Sequence, residues 1–246
     1  MPRRPRLEIP GIPLHITQRG VNRGAIFLDD DDRRHFLHLL RLASRENALA
    51  IHAYVMMDNH FHLLLSSARS GTLSRAMRNL GLCYVQAFNH KHHRSGTLWQ
   101  GRFKSCLVDS ERYVLAVYRY IELNPVRAAL ADRPETYAWS SVHANLGLCA
   151  GDIVTPHRCY LDLHHDPSRR PAAYRAWLHE GIDDENLRRI RVHMEQERAL
   201  GSPRFQAMAE ATLGRPVQVR TRGRPRRRNP KDGHEETGDL IPSVPF

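Results

Sequence analysis

The sequence predicts an α+β domain: a ferredoxin-like βαββαβ antiparallel sheet with helices on one face, followed by a helical, basic C-terminal extension. Three observations predict it. Apolar segments of strand-like and helix-like period follow one another as strand, helix, strand, strand, helix, strand through the first half of the chain. The second and third strands are separated only by Asp58-Asn59, a turn dipeptide, so they form a hairpin. Beyond Tyr137-Ala138-Trp139-Ser140-Ser141 the texture changes to charged helical segments, which sets an extension apart from the sheet.

Each element follows from its residues. Leu14 to Arg19 reads as the first strand, closed by Gly20 and the polar turn Asn22-Arg23-Gly24. The acidic cluster Asp29 to Asp32 caps a helix N-terminus and matches its dipole, and Phe36, Leu37, Leu39, Leu40 and Leu42 carry that helix to about Asn47. Ala48 to Met57 and His60 to Ser66 are the two arms of the hairpin. Leu73 to about His90 is a second helix with Leu73, Met77, Leu80 and Tyr84 on one face. After the turn at Ser95-Gly96, Thr97 to Val108 is extended, with Trp99 and Phe103 as apolar pegs. Asp109-Ser110 caps a third helix, from Glu111 to about Leu123, which stops at Asn124-Pro125. Gly147 to Pro156 reads as a linker, Tyr174 to Leu200 as a charged helix and Phe205 to Leu213 as a short amphipathic helix. The end is a basic run, Arg220 to Arg228, and a polar tail expected to be disordered.

Composition narrows the function. The 246 residues carry a net charge of +11 from 37 Lys and Arg, most of them Arg, whose planar fork binds phosphate bidentately. A polyanion is the expected partner, nucleic acid rather than membrane, since no basic amphipathic helix with an aromatic face stands out. No apolar run approaches the ~20 residues that span a bilayer. The basic start Met1-Pro2-Arg3-Arg4-Pro5-Arg6 lacks the apolar stretch of a secretion signal and reads either as a solvated arm or as one that contacts a nucleic-acid backbone. Cys83, Cys106, Cys149 and Cys159 form no C-x-x-C pair, which argues for reduced thiols in a cytoplasm; with the nucleic-acid partner expected from its charge, the protein is read as cytoplasmic and nucleoid-associated.

Three constellations carry chemistry. His60 and His62 flank Phe61 at the start of a strand, so both imidazoles point to one face: half of a metal site, or two satisfied sheet histidines. Tyr120 and Asn124 are four residues apart and share a helix face. Asn124 offers an oxygen to Mg²⁺ or Mn²⁺ and would complete a three-ligand site, or it is simply a stop residue before Pro125. Tyr120 is otherwise a core aromatic beside Val117 and Ile121. In Trp99-Gln100-Gly101-Arg102-Phe103-Lys104, alternation puts Arg102 and Lys104 on one face and the rings on the other: charges for phosphate and rings for bases, or an ordinary amphipathic strand.

The ordered set His60-Phe61-His62, Trp99-Gln100-Gly101-Arg102-Phe103-Lys104, Tyr120-Ile121-Glu122-Leu123-Asn124-Pro125-Val126-Arg127-Ala128 and Tyr137-Ala138-Trp139-Ser140-Ser141 resembles the HUH single-tyrosine transposases. Within them it is most similar to the REP-associated branch, related to insertion-sequence transposases. Ile16-Thr17-Gln18-Arg19-Gly20 and Asn22-Arg23-Gly24 fit as well, so the resemblance covers about residues 10 to 145. It implies a catalytic domain over 1–146; the change of texture beyond it marks a helical C-terminal extension over 147–219 and a basic, AT-hook-like segment with a disordered tail over 220–246.

The resemblance also implies a mechanism. His60, His62 and, directly or through water, Asn124 hold one divalent ion, Mg²⁺ or Mn²⁺. Tyr120 attacks a phosphate of single-stranded DNA near a hairpin, leaving a 5′-phosphotyrosine link and a free 3′-OH that can later rejoin strands. Arg19, Asn22, Arg23, Arg102 and Lys104 are the expected DNA contacts. Glu122 lies about 200° round the helix from Tyr120 and is left out of the site. Arg222-Gly223-Arg224-Pro225-Arg226 looks like the core of an AT-hook, placing Arg222, Arg224 and Arg226 in a narrow minor groove, or is a generic basic tail. Monomer and homodimer both stay open, and a DNA-hairpin-binding regulator on the same scaffold without catalysis is the alternative.

Overall fold

The strand β1 (Leu14–Arg19) sets the architecture, because it lies inside the sheet and sends successive side chains into two different layers. In the computed structural model, which describes residues 5–110 and 112–220, β1 pairs with β3 (His60–Ser67) on one side and β4 (Lys104–Leu107) on the other. β2 (Leu49–Met57) pairs with β3 across the Asp58-Asn59 turn. The order is β2-β3-β1-β4 with every pair antiparallel, which is the strand order of the βαββαβ arrangement.

The two helices between strands, α1 (Asp30–Glu46) and α2 (Thr72–Lys91), cover one face. Leu14 and Ile16 of β1 and Phe61, Leu63 and Leu65 of β3 meet Phe36 and Leu40 of α1 and Leu73, Leu80 and Tyr84 of α2 there. The acidic cap works as its composition requires: the Asp29 side chain accepts the Asp32 N–H at 2.9 Å.

The opposite face is not bare. It carries α3 (Val114–Glu122) and the short α4 (Asn124–Arg127), with Val117 and Ile121 packed on Val55, Leu64 and Cys106. Beyond α5 (Val142–Asn145) and α6 (Arg158–Leu161), α7 (Arg170–His179) and α8 (Asp184–Glu195) add Tyr174, Ile190 and Met194 to the same core. The last helix, α9 (Pro203–Leu213), joins the first core through Phe205 and Ala209. The extension is therefore continuous with the sheet domain, and one contact ties it to α3. The fully buried Glu122 carboxylate accepts hydrogen bonds from Ser141 Oγ, Asn145 Nδ2 and Tyr174 Oη, each 2.6 Å long.

Several boundaries differ from expectation for identifiable reasons. The third helix begins at Val114, and the Asp109 carboxylate accepts the N–H and hydroxyl of Ser202 at 3.0 and 2.9 Å. Of the extended segment Thr97 to Val108, only Lys104–Leu107 joins the ladder, preceded by a bridge between Gly20 and Trp99. The charged segment 174–200 is split between α7 and α8 at Gly181, whose φ of 77° a helix cannot accommodate. Part of the expected linker is tied to the edge strand, with Val154 bridging Ile51. Among the described residues no helix is long and apolar enough to cross a membrane.

Candidate functional site

The α3 face of β1 and β3 builds the site by strand alternation alone. His15 and Thr17 on β1 and His60 and His62 on β3 share this face, with Thr17 directly opposite His62 and Arg19 opposite His60. The hairpin turn places His60 at the first residue of β3, where the sheet ends and a groove begins. That groove, about 660 Å³, is lined by His60, His62, Tyr120, Asn124, Lys104 and Arg102 among others, with Arg19 at its edge. Sequence positions 19, 60, 62, 102, 104, 120 and 124 are thus brought together. Asn22 and Arg23 are exposed in the turn after β1 and do not line the groove. Arg222, Arg224 and Arg226 lie outside the described residues.

Each histidine is oriented by a second group. Asn59 Nδ2 donates to the Arg23 carbonyl at 3.1 Å, which turns Oδ1 toward His60 Nδ1, 2.6 Å away. That arrangement puts the His60 proton on Nδ1 and leaves Nε2 with its lone pair. His62 Nδ1 lies 2.9 Å from His15 Nε2. With the proton on His62 Nδ1 and His15 as the Nδ1–H tautomer, His62 also presents a bare Nε2. Burial keeps these rings neutral. It pushes His15 down to about 3, with Arg127 adding to the effect, and His60 down to about 4, with Arg19 adding. His62 is held well below its ordinary value by burial and then by His15 and His60.

Tyr120 stands edge-on to His62, ring centroids 5.5 Å apart, and is in the same relation to His15 at 5.5 Å. The Arg127 guanidinium covers the other side of the phenol, 4.5 Å from its centroid, and its Nη2 donates to the Tyr120 carbonyl at 2.8 Å. The phenol is thereby fixed in the groove while its hydroxyl makes no hydrogen bond among the described residues. Tyr118, two residues earlier, points into the core: it is fully buried and its hydroxyl accepts the His157 N–H at 3.2 Å. Glu122 also faces away from the groove, into the network with Tyr174.

Three positioning residues escape a reading built on motifs. His15 is detectable by parity, since it sits an even number of residues from Thr17, which pairs with His62. Asn59 adjoins the histidine pair. Arg127 is two helical turns beyond Tyr120 and so on its face. The expectation that rings of the 99–104 segment receive bases is corrected at Phe103, which is buried beneath the Arg6 guanidinium, 3.4 Å from the ring centroid.

A second group of possible metal ligands, Asp29, Asp32 and His92, lies at the α1–α2 layer with ligand atoms within 4.8 Å of one another. The Lys91 ammonium already sits on both carboxylates, at 2.7 and 3.0 Å. A cation in place and a His92–Asp32 hydrogen bond of 2.9 Å give the cluster a structural role at the helix cap.

Residues 9–124 match the family model described as IS200-like transposase. Two solved structures are similar to the chain. One, of a REP-associated tyrosine transposase bound to a REP hairpin, is 18% identical, with a TM-score of 0.49, over 64% of this chain and 93% of that one. The other, of a putative transposase from Deinococcus radiodurans R1, is 19% identical, with a TM-score of 0.35, over 49% and 95%. No curated protein matches the chain.

Proposed function

We propose that this chain, whose residues 9–124 belong to the IS200-like transposase family, nicks and rejoins single-stranded DNA near hairpins through a covalent bond to Tyr120. The observation that carries the proposal is the juxtaposition in one groove of a fixed phenol, two histidines with outward lone pairs and a cationic wall.

The step balances without a co-reactant. The Tyr120 oxygen attacks phosphorus, the new Tyr–O–P bond forms as the P–O3′ bond breaks, and the phenolic proton ends on the departing 3′-OH. Because the phosphodiester is exchanged for a phosphotyrosine diester, its energy is kept and the 3′-OH can reverse the reaction on a second strand. His62, His15 and Arg127 hold the phenol so that the attacking oxygen is placed rather than searched for. Arg19, Arg102 and Lys104, all exposed at the groove, bind the backbone of the strand. Asn22 and Arg23 extend that surface from the turn after β1.

The residues fit a divalent ion of the Mg²⁺ or Mn²⁺ type. His60 and His62 are neutral and can each offer Nε2, and the Asn124 side chain lines the same groove with an oxygen suited to a hard cation. When bound there, the ion supplies Lewis-acid polarisation of the scissile phosphate.

The test is a denaturing gel of 5′- and 3′-labelled hairpin DNA from repeats flanking the gene, with Mn²⁺, Mg²⁺ or EDTA. A protein–DNA adduct formed by the wild type with a divalent ion and lost in Tyr120→Phe supports the proposal. Binding without cleavage by the wild type on that DNA would establish the regulator instead.

A further inference from the structure

Helix α8 of the extension packs beside β4 and lines the groove, and it brings a charge there. Arg191 is exposed and lines the groove together with Arg127. Among the described residues Arg191 forms no ion pair, although Glu195, one turn later, lines the same groove. Arg127 is partly buried; one of its nitrogens, Nη1, is buried without a hydrogen-bond partner among the described residues. The two guanidiniums feel each other: burial lowers the Arg127 pKa, the Tyr120 phenol opposes that, and Arg191 adds a smaller lowering. Two unpaired like charges converging beside a fixed phenol are unfavourable unless an anion comes between them.

We propose that Arg127 and Arg191 form a two-guanidinium clamp for the DNA phosphate presented to Tyr120, so that the C-terminal extension completes the phosphate site instead of only buttressing the fold. The ligand is one phosphodiester of a single strand, gripped from α4 on one side and α8 on the other. Arg19, Arg102 and Lys104, which line the same groove, receive the neighbouring phosphates. The clamp rests on the nicking reading of the groove.

The experiment uses the full chain in a Tyr120→Phe background, so that DNA is bound and not consumed. Two hairpin oligonucleotides are compared by fluorescence anisotropy: one natural, one with a neutral methylphosphonate at the phosphate where wild type forms its adduct. Neutralising that phosphate should weaken binding about tenfold, the scale of a charge-assisted hydrogen bond. In Tyr120→Phe/Arg191→Ala the two oligonucleotides should bind within about twofold of each other, and Arg191→Lys should restore part of the difference. Arg158→Ala removes a distant exposed charge and should keep the full tenfold difference. An equal methylphosphonate penalty with and without Arg191 overturns the clamp and leaves the nicking reading intact. Absence of any adduct with wild type overturns both.

Discussion

The Tyr174 hydroxyl of α7 donates a 2.6 Å hydrogen bond to Glu122, two residues from Tyr120 on the helix that carries it. Ser141 and Asn145 donate to the same carboxylate, and burial raises its pKa against the opposing pull of these three donors. The residue excluded from the site by helical geometry is thus the one that anchors the site's helix to the extension. Glu122→Ala leaves three buried polar groups unsatisfied and should cost about 3 kcal/mol, read from the midpoint of urea denaturation. Tyr174→Phe should cost about 1 kcal/mol and leave the fold intact. A midpoint unchanged in both variants would contradict the anchoring role.

Acid should destabilise the protein through His52. Burial lowers its pKa to about 4, with Nδ1 2.7 Å from the Thr155 carbonyl and Nε2 3.0 Å from Ser66 Oγ. A pKa lower in the folded than in the unfolded state means that the unfolded chain takes up the proton first. The contribution is therefore complete above the ordinary histidine value of 6.5 and is lost as pH falls toward 4. Over that window His52→Gln should lose stability less steeply than wild type, by about 1.4 kcal/mol per pH unit. Parallel stability–pH curves for the two proteins would refute it.

Asn59 should matter to the metal without touching it. It holds His60 by Nδ1, and loss of such an outer partner typically costs 10–100-fold in metal affinity. In Asn59→Ala the Mn²⁺ concentration for half-maximal cleavage should rise by at least about tenfold, while hairpin binding in EDTA stays the same. His60→Ala and His62→Ala should abolish cleavage at every Mn²⁺ concentration.

The Asp29–Asp32–His92 cluster should behave as structure. Asp32 accepts the Leu28 N–H at 2.8 Å as well as Lys91 and His92. Asp32→Ala should lower the melting temperature and leave the Mn²⁺ dependence of cleavage unaltered; a shifted metal requirement would assign the ion to the wrong face of the sheet.

What could be read from the sequence was whatever depends on local period. Two-residue alternation places His60 and His62 on one face, and the Asp58-Asn59 turn fixes the hairpin that carries them. Helical spacing puts Tyr120 and Asn124 on the groove side of α3 and α4 and turns Glu122 away. Long-range partnerships were hidden. Asp109 looks like a helix cap yet serves Ser202, 93 residues on. Met194 and Arg191 belong to a segment that reads only as a charged helix, and their place in the groove depends on how α7 docks on Glu122. His15 was within reach of the alternation rule; its role emerged only once the register set Thr17 opposite His62.

The central claim is that Tyr120 is the nucleophile, and peptide mapping of the covalent product tests it most directly. Wild-type protein is incubated with hairpin DNA and Mn²⁺, digested with protease and nuclease, and the nucleotide-bearing peptide is sequenced by mass spectrometry. The account predicts a nucleotide on Tyr120 through its 5′-phosphate, with Tyr118 unmodified because it is buried under the extension. A nucleotide on any other residue, or cleavage that proceeds without a peptide adduct, would contradict it.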